Sequence, residues 1–311
     1  MREKIGKVTL NFDYYDGVDL YSDGDVEEHI LKLVTEHEPD EYQDIILEEK
    51  NWAVMYHLSE QRENILEWYP MKKTDSVLEI GAGCGAISGI LAKKAGRVVA
   101  NDLSKMRSTI NASQNRNADN LEIIVGNFNT VADNLEEVFD YITLIGVFEY
   151  AKTYIQAEDS YGVFLDKINR LLKPEGKILM AIENRLGMKY FAGCAEDHVG
   201  KGFEGIEGYH HTEGVETFSK RELEKLLDAK GYHSYKFYYP YPDYKFATSI
   251  YSDEHLPAKG ELRNNLRNFD QDRLRLFDEG LAFDGIIESD LFPHFSNSFF
   301  VEIGKKVNGC E

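Results

Sequence analysis

Three glycines at alternate positions, Gly81, Gly83 and Gly85, interrupt an apolar run in VLEIGAGCGAISGIL (77–91), after which apolar residues return at helical spacing. Glycine costs backbone entropy in regular structure, so three within five residues mark a tight turn, a ligand close against the backbone, or both. A strand, a glycine turn and a helix N-terminus together make a nucleotide-sized cradle. Two cofactor classes use such a cradle, and the remaining sequence must choose between them.

From residue 76 the pattern alternates. Strands are expected at Val77–Ile80, Val98–Asn101, Ile123–Val125, Tyr141–Leu144 and Ile178–Ile182, with helices at Ala86–Ala95, Met106–Asn117 and Val163–Leu172. This alternation implies an α/β fold with a parallel sheet covered on both faces. Residues 1–70 are acidic and mostly helical in pattern: Asp25 is placed to cap VEEHILKLVTEH, and Ser59 to cap EQRENILEWYP before Pro70. Beyond residue 182 the pattern loosens into a stretch holding 7 glycines, 183–218, and such long connections are usually functional or mobile. Ser219 and Glu222 then form a capping box, with Gly231 as the stop of that helix. Further strands are expected at Tyr235–Tyr239 and Ser298–Ile303. Between them lies a charged excursion, 252–294, with helical character around Asp270–Phe283.

Charge narrows the ligand. With 55 acidic against 35 basic residues the formal charge is −20, a surface that repels nucleic acid and anionic membrane. The three cysteines, Cys84, Cys194 and Cys310, are too scattered for a disulfide framework or a paired metal site, and a reducing cytoplasm fits them. The N-terminus lacks the apolar core of a signal peptide, and no apolar run approaches the ~18 residues of a membrane span. A soluble, cytoplasmic protein without a metal is the expectation.

Gly81-x-Gly83-x-x-Ala86, followed by Asp102 at the end of the second strand, satisfies the dinucleotide fingerprint, and an NAD-dependent oxidoreductase is one reading. Three features point elsewhere. Gly85 adds a third alternate glycine. Glu79 stands where a carboxylate serves a cationic ligand group better than a pyrophosphate. The alternation also ends in a helix and two strands, not in a second nucleotide-binding half.

VLEIGAGCGAISGIL resembles the first motif of class I S-adenosylmethionine-dependent methyltransferases, and VVANDLS their acidic second strand. GNF, FDYITLIGVFEYA and LLKPEGKILMAIEN resemble the later motifs in the right order, together covering residues 76–183. Within that family, HLSEQRENIL, AIENRLGMKYFAGCAEDHVG, GIEGYHHTEGVETFSKREL and NSFFVEI are similar to a bacterial subgroup. Its members are often found beside or fused to glycosyltransferases of surface-polysaccharide synthesis.

The resemblance implies a Rossmann-like sheet of seven mostly parallel strands in order 3-2-1-4-5-7-6, with the seventh antiparallel. It implies S-adenosyl-L-methionine as cofactor, with Gly81, Ala82, Gly83 and Gly85 beneath its amino-acid moiety and ribose. Asp102 would accept from the ribose hydroxyls, and Asn127 from the adenine amino group, with Leu103 or Phe128 against the ring. The backbone at Ile145 and Gly146 would flank the methionine moiety. Glu79 would meet a cationic group or cap the glycine turn. His57 and Arg62 precede the first core strand, and Arg62 is suited either to clamp the methionine carboxylate or to pair with Glu63 or Glu67.

The organisation expected is thus a helical cover, 1–70, on a methyltransferase domain, 71–311. That domain would carry an acceptor loop, 184–218, and an insertion, 252–294, serving as lid or dimerisation surface. Ligands bind at the carboxyl ends of strands in such sheets. The loop offers Glu183, Asn184, Arg185, Glu196, Asp197 and His198, with His210 and His211 further on. His198 is the preferred base because histidine titrates near neutrality, oriented by Asp197 or Glu196, with Glu183 and Asp197 as carboxylate alternatives. Glu149 would close the cofactor pocket. The acceptor expected is small, polar or sugar-like and methylated on oxygen, with the aromatic run YKFYYPYPDYKF as a stacking wall. A homodimer, a glycosyltransferase partner, and a non-catalytic cofactor-binding subunit of such a partner all remain open.

Overall fold

In the computed structural model, residues 1–19, 24–155, 157–265 and 274–306 are described. They fall into two compact units, Met1–Leu144 with Lys167–Lys177, and Ile145–Asp166 with Ile178–Glu311.

Strands buried on both faces of a parallel sheet read as nearly unbroken apolar runs. Four such runs build the first unit: β3 (Ser76–Ile80), β4 (Arg97–Asp102), β5 (Leu121–Gly126) and β6 (Phe139–Ile145). β4 pairs in parallel with β3 and with β5, and β3 pairs in parallel with β6. The register sets Ile80 opposite Asn101 and Asp102 opposite Val125, so three neighbouring strands end at one level. Val77, Leu78, Val98, Ile123 and Val125 are fully buried among them. Helices follow at Ser88–Lys94 and Lys105–Gln114, close to the spans the periodicity predicts.

Residues 1–70, read as mostly helical, also contain two strands. β1 (Arg2–Ile5) and β2 (Val8–Tyr14) form an antiparallel pair, and β2 joins β5 in parallel, extending this edge of the sheet. The period of two in VTLNFDY, with Val8 and Leu10 buried, is the physical reason. Asp25 begins its helix, Asp25–Glu36, instead of capping it; Gly24 takes the cap position at φ +68°. Ser59 caps, through Gln61 N–H at 3.3 Å, a short 3-10 turn, Glu60–Glu63, and not one long helix. Ile30, Val34, Tyr42, Ile46, Val54 and Leu58 share a core with Ile110 and with Cys84 of the glycine turn. Burial of each aliphatic side chain there stabilises the cover by about 1.5–3 kcal/mol relative to exposure.

In the second unit β7 (Leu172–Glu183), whose first residues belong to the first unit, neighbours β10 (Ser298–Gly304). β10 pairs antiparallel with β8 (Tyr235–Tyr241), and β8 with β9 (Ser249–Ser252), a strand the pattern did not announce. The aromatic run expected to wall a sugar site is core instead: Phe237, Tyr239, Tyr241, Tyr244 and Phe246 are all buried. Phe237 and Tyr239 meet Phe299 edge-on, and Tyr239 meets Phe292. The excursion joins that core through Leu262, Phe283 and Phe292. Its helix runs Glu279–Glu288, later than the expected Asp270–Phe283, of which 270–273 lie outside the described residues. Ser219 and Glu222 form the capping box the sequence announces for the helix Lys220–Ala229. Among the described residues no helix is long and apolar enough to cross a membrane.

Gly126 makes the β2–β5 edge possible. At φ +150° it leaves room for Tyr14, whose carbonyl oxygen would lie 2.4 Å from an added Cβ. Gly126→Ala should therefore cost about 1–3 kcal/mol, read as a lowered midpoint in urea unfolding. An unchanged midpoint would show that the edge yields freely.

Candidate active site

The cradle in the first unit is assembled from the carboxyl ends of β3, β4 and β5. Gly81 and Gly83 adopt φ +68° and +54°, values that side-chain-bearing residues rarely take. The Gly81 and Ala82 N–H groups both donate to the Asn101 carbonyl, at 2.9 and 3.0 Å. The Gly83 N–H donates to Asp102 Oδ2 at 2.7 Å, and the Ser104 N–H donates to Oδ1 at 2.9 Å. A Cβ on Gly83 would meet nothing within 4 Å, so the turn faces open space there. Gly85 is different. Its Cβ would lie 2.4 Å from Asn111 Oδ1, so this glycine admits the neighbouring helix.

Glu79 is buried and accepts the Ser88 hydroxyl at 2.5 Å, and Asn111 donates to that hydroxyl at 2.8 Å. Burial pushes its carboxyl up to about 8, with nearby Asp102 adding to the rise against the Ser88 bond. Its hydrogen-bond partner is thus the Ser88 side chain, where capping of the turn was one alternative. Burial also raises Asp102, opposed by its two backbone donors. Asn127 caps the helix Phe128–Asn134 through Asn129 N–H at 2.9 Å, and Leu103 and Phe128 are half-buried beside the strand ends.

Arg62 is buried with its guanidinium 4.2 Å above the Tyr56 ring. The expected pairing with Glu63 is taken by Lys93, at 2.8 Å from that carboxylate. His57 stacks edge-on against Tyr56, and burial beside Arg107 and Arg62 lowers it to about 3, so the ring is neutral.

The second unit gathers a dense ionic cluster at the ends of β6 and β7. Gly146, at φ +69°, passes so close to Tyr244 that a Cβ would lie 2.6 Å from its hydroxyl, with Ile145 preceding it. Glu183, the last residue of β7, is fully buried with Oε2 3.3 Å from His198 Nε2 and Oε1 2.6 Å from Lys245 Nζ. Glu149 is also fully buried, its Oε1 3.9 Å from the same imidazole nitrogen. No other described residue donates to either of its oxygens. Tyr150 holds the opposite face of the imidazole, its hydroxyl 2.9 Å from Nδ1.

Asp197 is occupied elsewhere. Lys189 Nζ lies 2.6 Å from its Oδ2, the Tyr190 hydroxyl donates to that oxygen at 2.5 Å, and Lys245 lies 3.5 Å from Oδ1. Despite burial, the two lysines hold its carboxyl down at about 2. Lys245 and His198 hold Glu183 well below the usual carboxylate range. Burial pushes Glu149 up to about 8, reinforced by Glu183 and opposed by His198. His198 itself is raised to about 9 against its burial by Glu183, Glu149 and Glu196. The ground for choosing it as base, titration near neutrality, is therefore not met: at pH 7 this imidazole carries its proton.

The loop is held by its own polar groups. Glu196 accepts the N–H of His198 at 2.7 Å and of Val199 at 2.8 Å. Asn184 donates to the carbonyls of His294 and Ser296. Arg185 pairs with Glu222, and both are committed to structure where an acceptor contact was expected. His210 and His211 are exposed and stand outside the cluster's contacts. Sequence reasoning missed Lys189, Lys245 and Tyr150. Their signal was weak, a lysine inside GMKYF, another inside an aromatic run, and a tyrosine beside Glu149.

Residues 78–180 match the family model described as a methyltransferase domain, a third of the chain. No curated protein matches. Among solved structures, a Haemonchus contortus phosphoethanolamine N-methyltransferase 1 with phosphoethanolamine and S-adenosylhomocysteine is 14% identical, covering 90% of this chain and 52% of its own, TM-score 0.49. The chain spans about half of that enzyme's length. A Thermotoga maritima protein described as a possible histamine N-methyltransferase is 16% identical over 90% of this chain and 100% of its own, TM-score 0.42. The YcgJ protein of Bacillus subtilis is 14% identical over 80% and 99%, TM-score 0.43. Residues 78–180 of this chain are thus similar to a methyltransferase domain.

The Glu79 carboxyl gives a signed pH dependence. Its folded value, about 8, lies above its ordinary 4.5, so the folded state keeps a proton that the unfolded chain releases. Stability from this group is complete below pH 4.5 and is lost as pH rises toward 8. Glu79→Gln keeps an acceptor for Ser88 and removes the titration. Its melting temperature relative to the parent should rise by at least ~3 °C between pH 5 and pH 8. A constant difference across that range would place the ionised carboxylate in the folded protein.

Proposed function

We propose that this enzyme transfers a methyl group to a hydroxyl oxygen of a small, polar or sugar-like acceptor, and that the cluster around Glu149, Glu183 and His198 receives that acceptor. The observation that carries the reading is Glu149: a fully buried carboxylate with no donor from another described residue, beside a histidine and a second carboxylate. A buried carboxylate left without partners costs free energy, and a group kept at that cost serves something that arrives. A hydroxyl arriving there meets an oxygen able to take its proton and an imidazole able to donate a hydrogen bond. A flat apolar acceptor would gain nothing from these groups.

The donor side fits the first unit's cradle. Gly83 opens onto space a Cβ would occupy, and each Asp102 oxygen accepts one backbone bond, leaving a lone pair free for a ribose hydroxyl. Glu79, Gly81, Ala82, Leu103, Asn127 and Phe128 would complete the pocket, with Arg62 and neutral His57 toward the methionine carboxylate. A cationic amino group would draw Glu79 to its ionised form. When bound, the cofactor supplies a methyl carbon activated by a sulfonium, so this chain's residues have mainly to align the acceptor and accept one proton. Alignment of that kind is worth ~7–11 kcal/mol, and a base perhaps 100- to 10,000-fold in rate.

In this reading the proton of the hydroxyl passes to the ionised form of Glu149, whose share grows as pH rises toward 8, while Glu183, His198 and, through the lysines, Asp197 hold the pocket's shape and charge. The seven core strands take the order 3-2-1-4-5-7-6, with β1, β2 and β9 as additions. Residues 1–70 cover the donor pocket, 184–218 form the acceptor loop, and 252–294 serve as lid or dimer surface. A glycosyltransferase of surface-polysaccharide synthesis is the partner this family resemblance favours.

Two measurements test the reading. Asp102→Ala should weaken S-adenosylhomocysteine binding by roughly tenfold or more in calorimetry, the loss of charge-assisted bonds of about 1.5–3 kcal/mol each. Gly83→Ala should weaken it likewise, with about 1–2 kcal/mol lost to its positive φ, whereas Gly85→Ala, which also meets Asn111, should destabilise more. Glu149→Gln, offered radiolabelled cofactor and saccharide acceptors, should transfer methyl at least about 100-fold more slowly with cofactor affinity unchanged. Undiminished transfer in that variant would remove Glu149 from the chemistry.

A further inference from the structure

Three donor atoms of the second unit converge from separate segments: a carboxylate oxygen of Glu149 after β6, one of Glu183 at the end of β7, and Nε2 of His198 in the following loop. All lie within 4.8 Å of one another. We propose that these residues form a binding site for one divalent first-row metal ion, with positions left open for an oxygen ligand.

Spacing is the first support. Bonds of ~2.1 Å place neighbouring donors of one ion roughly 3–4 Å apart. The imidazole nitrogen is 3.3 Å from Glu183 Oε2 and 3.9 Å from Glu149 Oε1, distances a single ion would bridge with small side-chain adjustments.

The second support is independent of spacing. Both oxygens of Glu149 are buried without a donor from another described residue, so the carboxylate is aimed into the cluster with its ligand capacity unspent. Fully buried carboxylates are usually paired or coordinate a metal.

The outer contacts are those a metal site needs. A ligating histidine generally has its other nitrogen held, which sets its tautomer and ring orientation. Tyr150 does this for His198, 2.9 Å from Nδ1, leaving Nε2 directed at the two carboxylates. Lys245 binds Oε1 of Glu183 at 2.6 Å, fixing that carboxylate with Oε2 toward the cluster. The lysines do not make the site repel a cation. Glu149, Glu183, Glu196, Asp197 and Asp243 surround it against Lys189 and Lys245, so carboxylates outnumber ammonium groups.

Two carboxylates and one imidazole make a mixed oxygen–nitrogen set that suits manganese, iron or zinc better than calcium. Three protein ligands leave coordination open, and an acceptor hydroxyl bound there would lose its proton more readily, to the Glu149 oxygen that the ion does not use. No local motif announces this set, since the three ligands lie 34 and 15 residues apart.

Chelator-stripped protein titrated with manganese(II), with free ion followed by electron paramagnetic resonance, should bind about one ion per chain, displaced by zinc(II). Pulsed resonance of the bound ion should show nitrogen coupling from one imidazole. Glu149→Gln and His198→Ala should each weaken binding by roughly tenfold or more, with S-adenosylhomocysteine affinity, measured on the same samples, confirming that the variants are folded. Absence of bound manganese and zinc at millimolar concentration, bound manganese without nitrogen coupling, or equal affinity in Glu149→Gln would each overturn the site. Loss of S-adenosylhomocysteine binding by the parent protein would instead overturn the functional reading and leave the metal result standing.

Discussion

Asn101 holds the first unit's functional end together. Its carbonyl accepts two successive N–H groups of the glycine turn, and its side-chain amide donates to the carbonyls of Ile124 and Gly126, both at 2.9 Å. One buried residue thus ties the end of β3 to β4 and the end of β4 to β5. A buried amide satisfied this fully gives up little on folding, whereas removing it would orphan several backbone groups at once. The next residue inherits the consequence. With the turn fixed against Asn101, Asp102 meets the Gly83 N–H, and the turn and carboxylate orient each other. Positive φ at Gly81 and Gly83 is the backbone cost of this closure, which explains why glycine stands there.

The second unit solves a different problem, that of holding many charges away from water. Ion pairs at such depth repay their desolvation only when geometry and remaining hydrogen bonds are good. Asp197 meets that standard with two lysines and a tyrosine, and Glu196 meets it with two backbone donors and Tyr209. Glu204 likewise accepts from His211 N–H and the Thr212 hydroxyl. These acids act as internal caps that give an irregular loop a defined path, which is why a connection so rich in glycine need not be loose.

Sequence legibility followed the strength of local patterns. The core strands and the helices after β3 and β4 were readable because parallel strands are continuous apolar runs and their helices are amphipathic. The capping box at Ser219 and Glu222 was readable because its chemistry lies within four residues. β2 was missed although VTLNFDY alternates, since the acidic, helix-rich character of residues 1–70 outweighed a seven-residue signal. The cradle could be named residue by residue because it is contiguous within three strand ends. The cluster could not. Lys245 reaches Glu183 across 62 positions, and nothing in YPDYKF distinguishes a lysine that will be buried against carboxylates from one that will reach solvent.

The contrast within that cluster is itself informative. Asn184, Arg185, Glu196 and Glu204 each carry two or more hydrogen-bond partners, as residues retained for structure do. Glu149 sits among them, equally buried, with none from another described residue. If its role were only to fill space, glutamine or methionine would fill the same volume at lower cost, since neither must lose a charge's hydration. Consistency of local and global preference is the rule for a folded chain, and departures concentrate where function demands them. The unpaired carboxylate marks that departure, and its neighbours supply the rigidity that keeps it aimed.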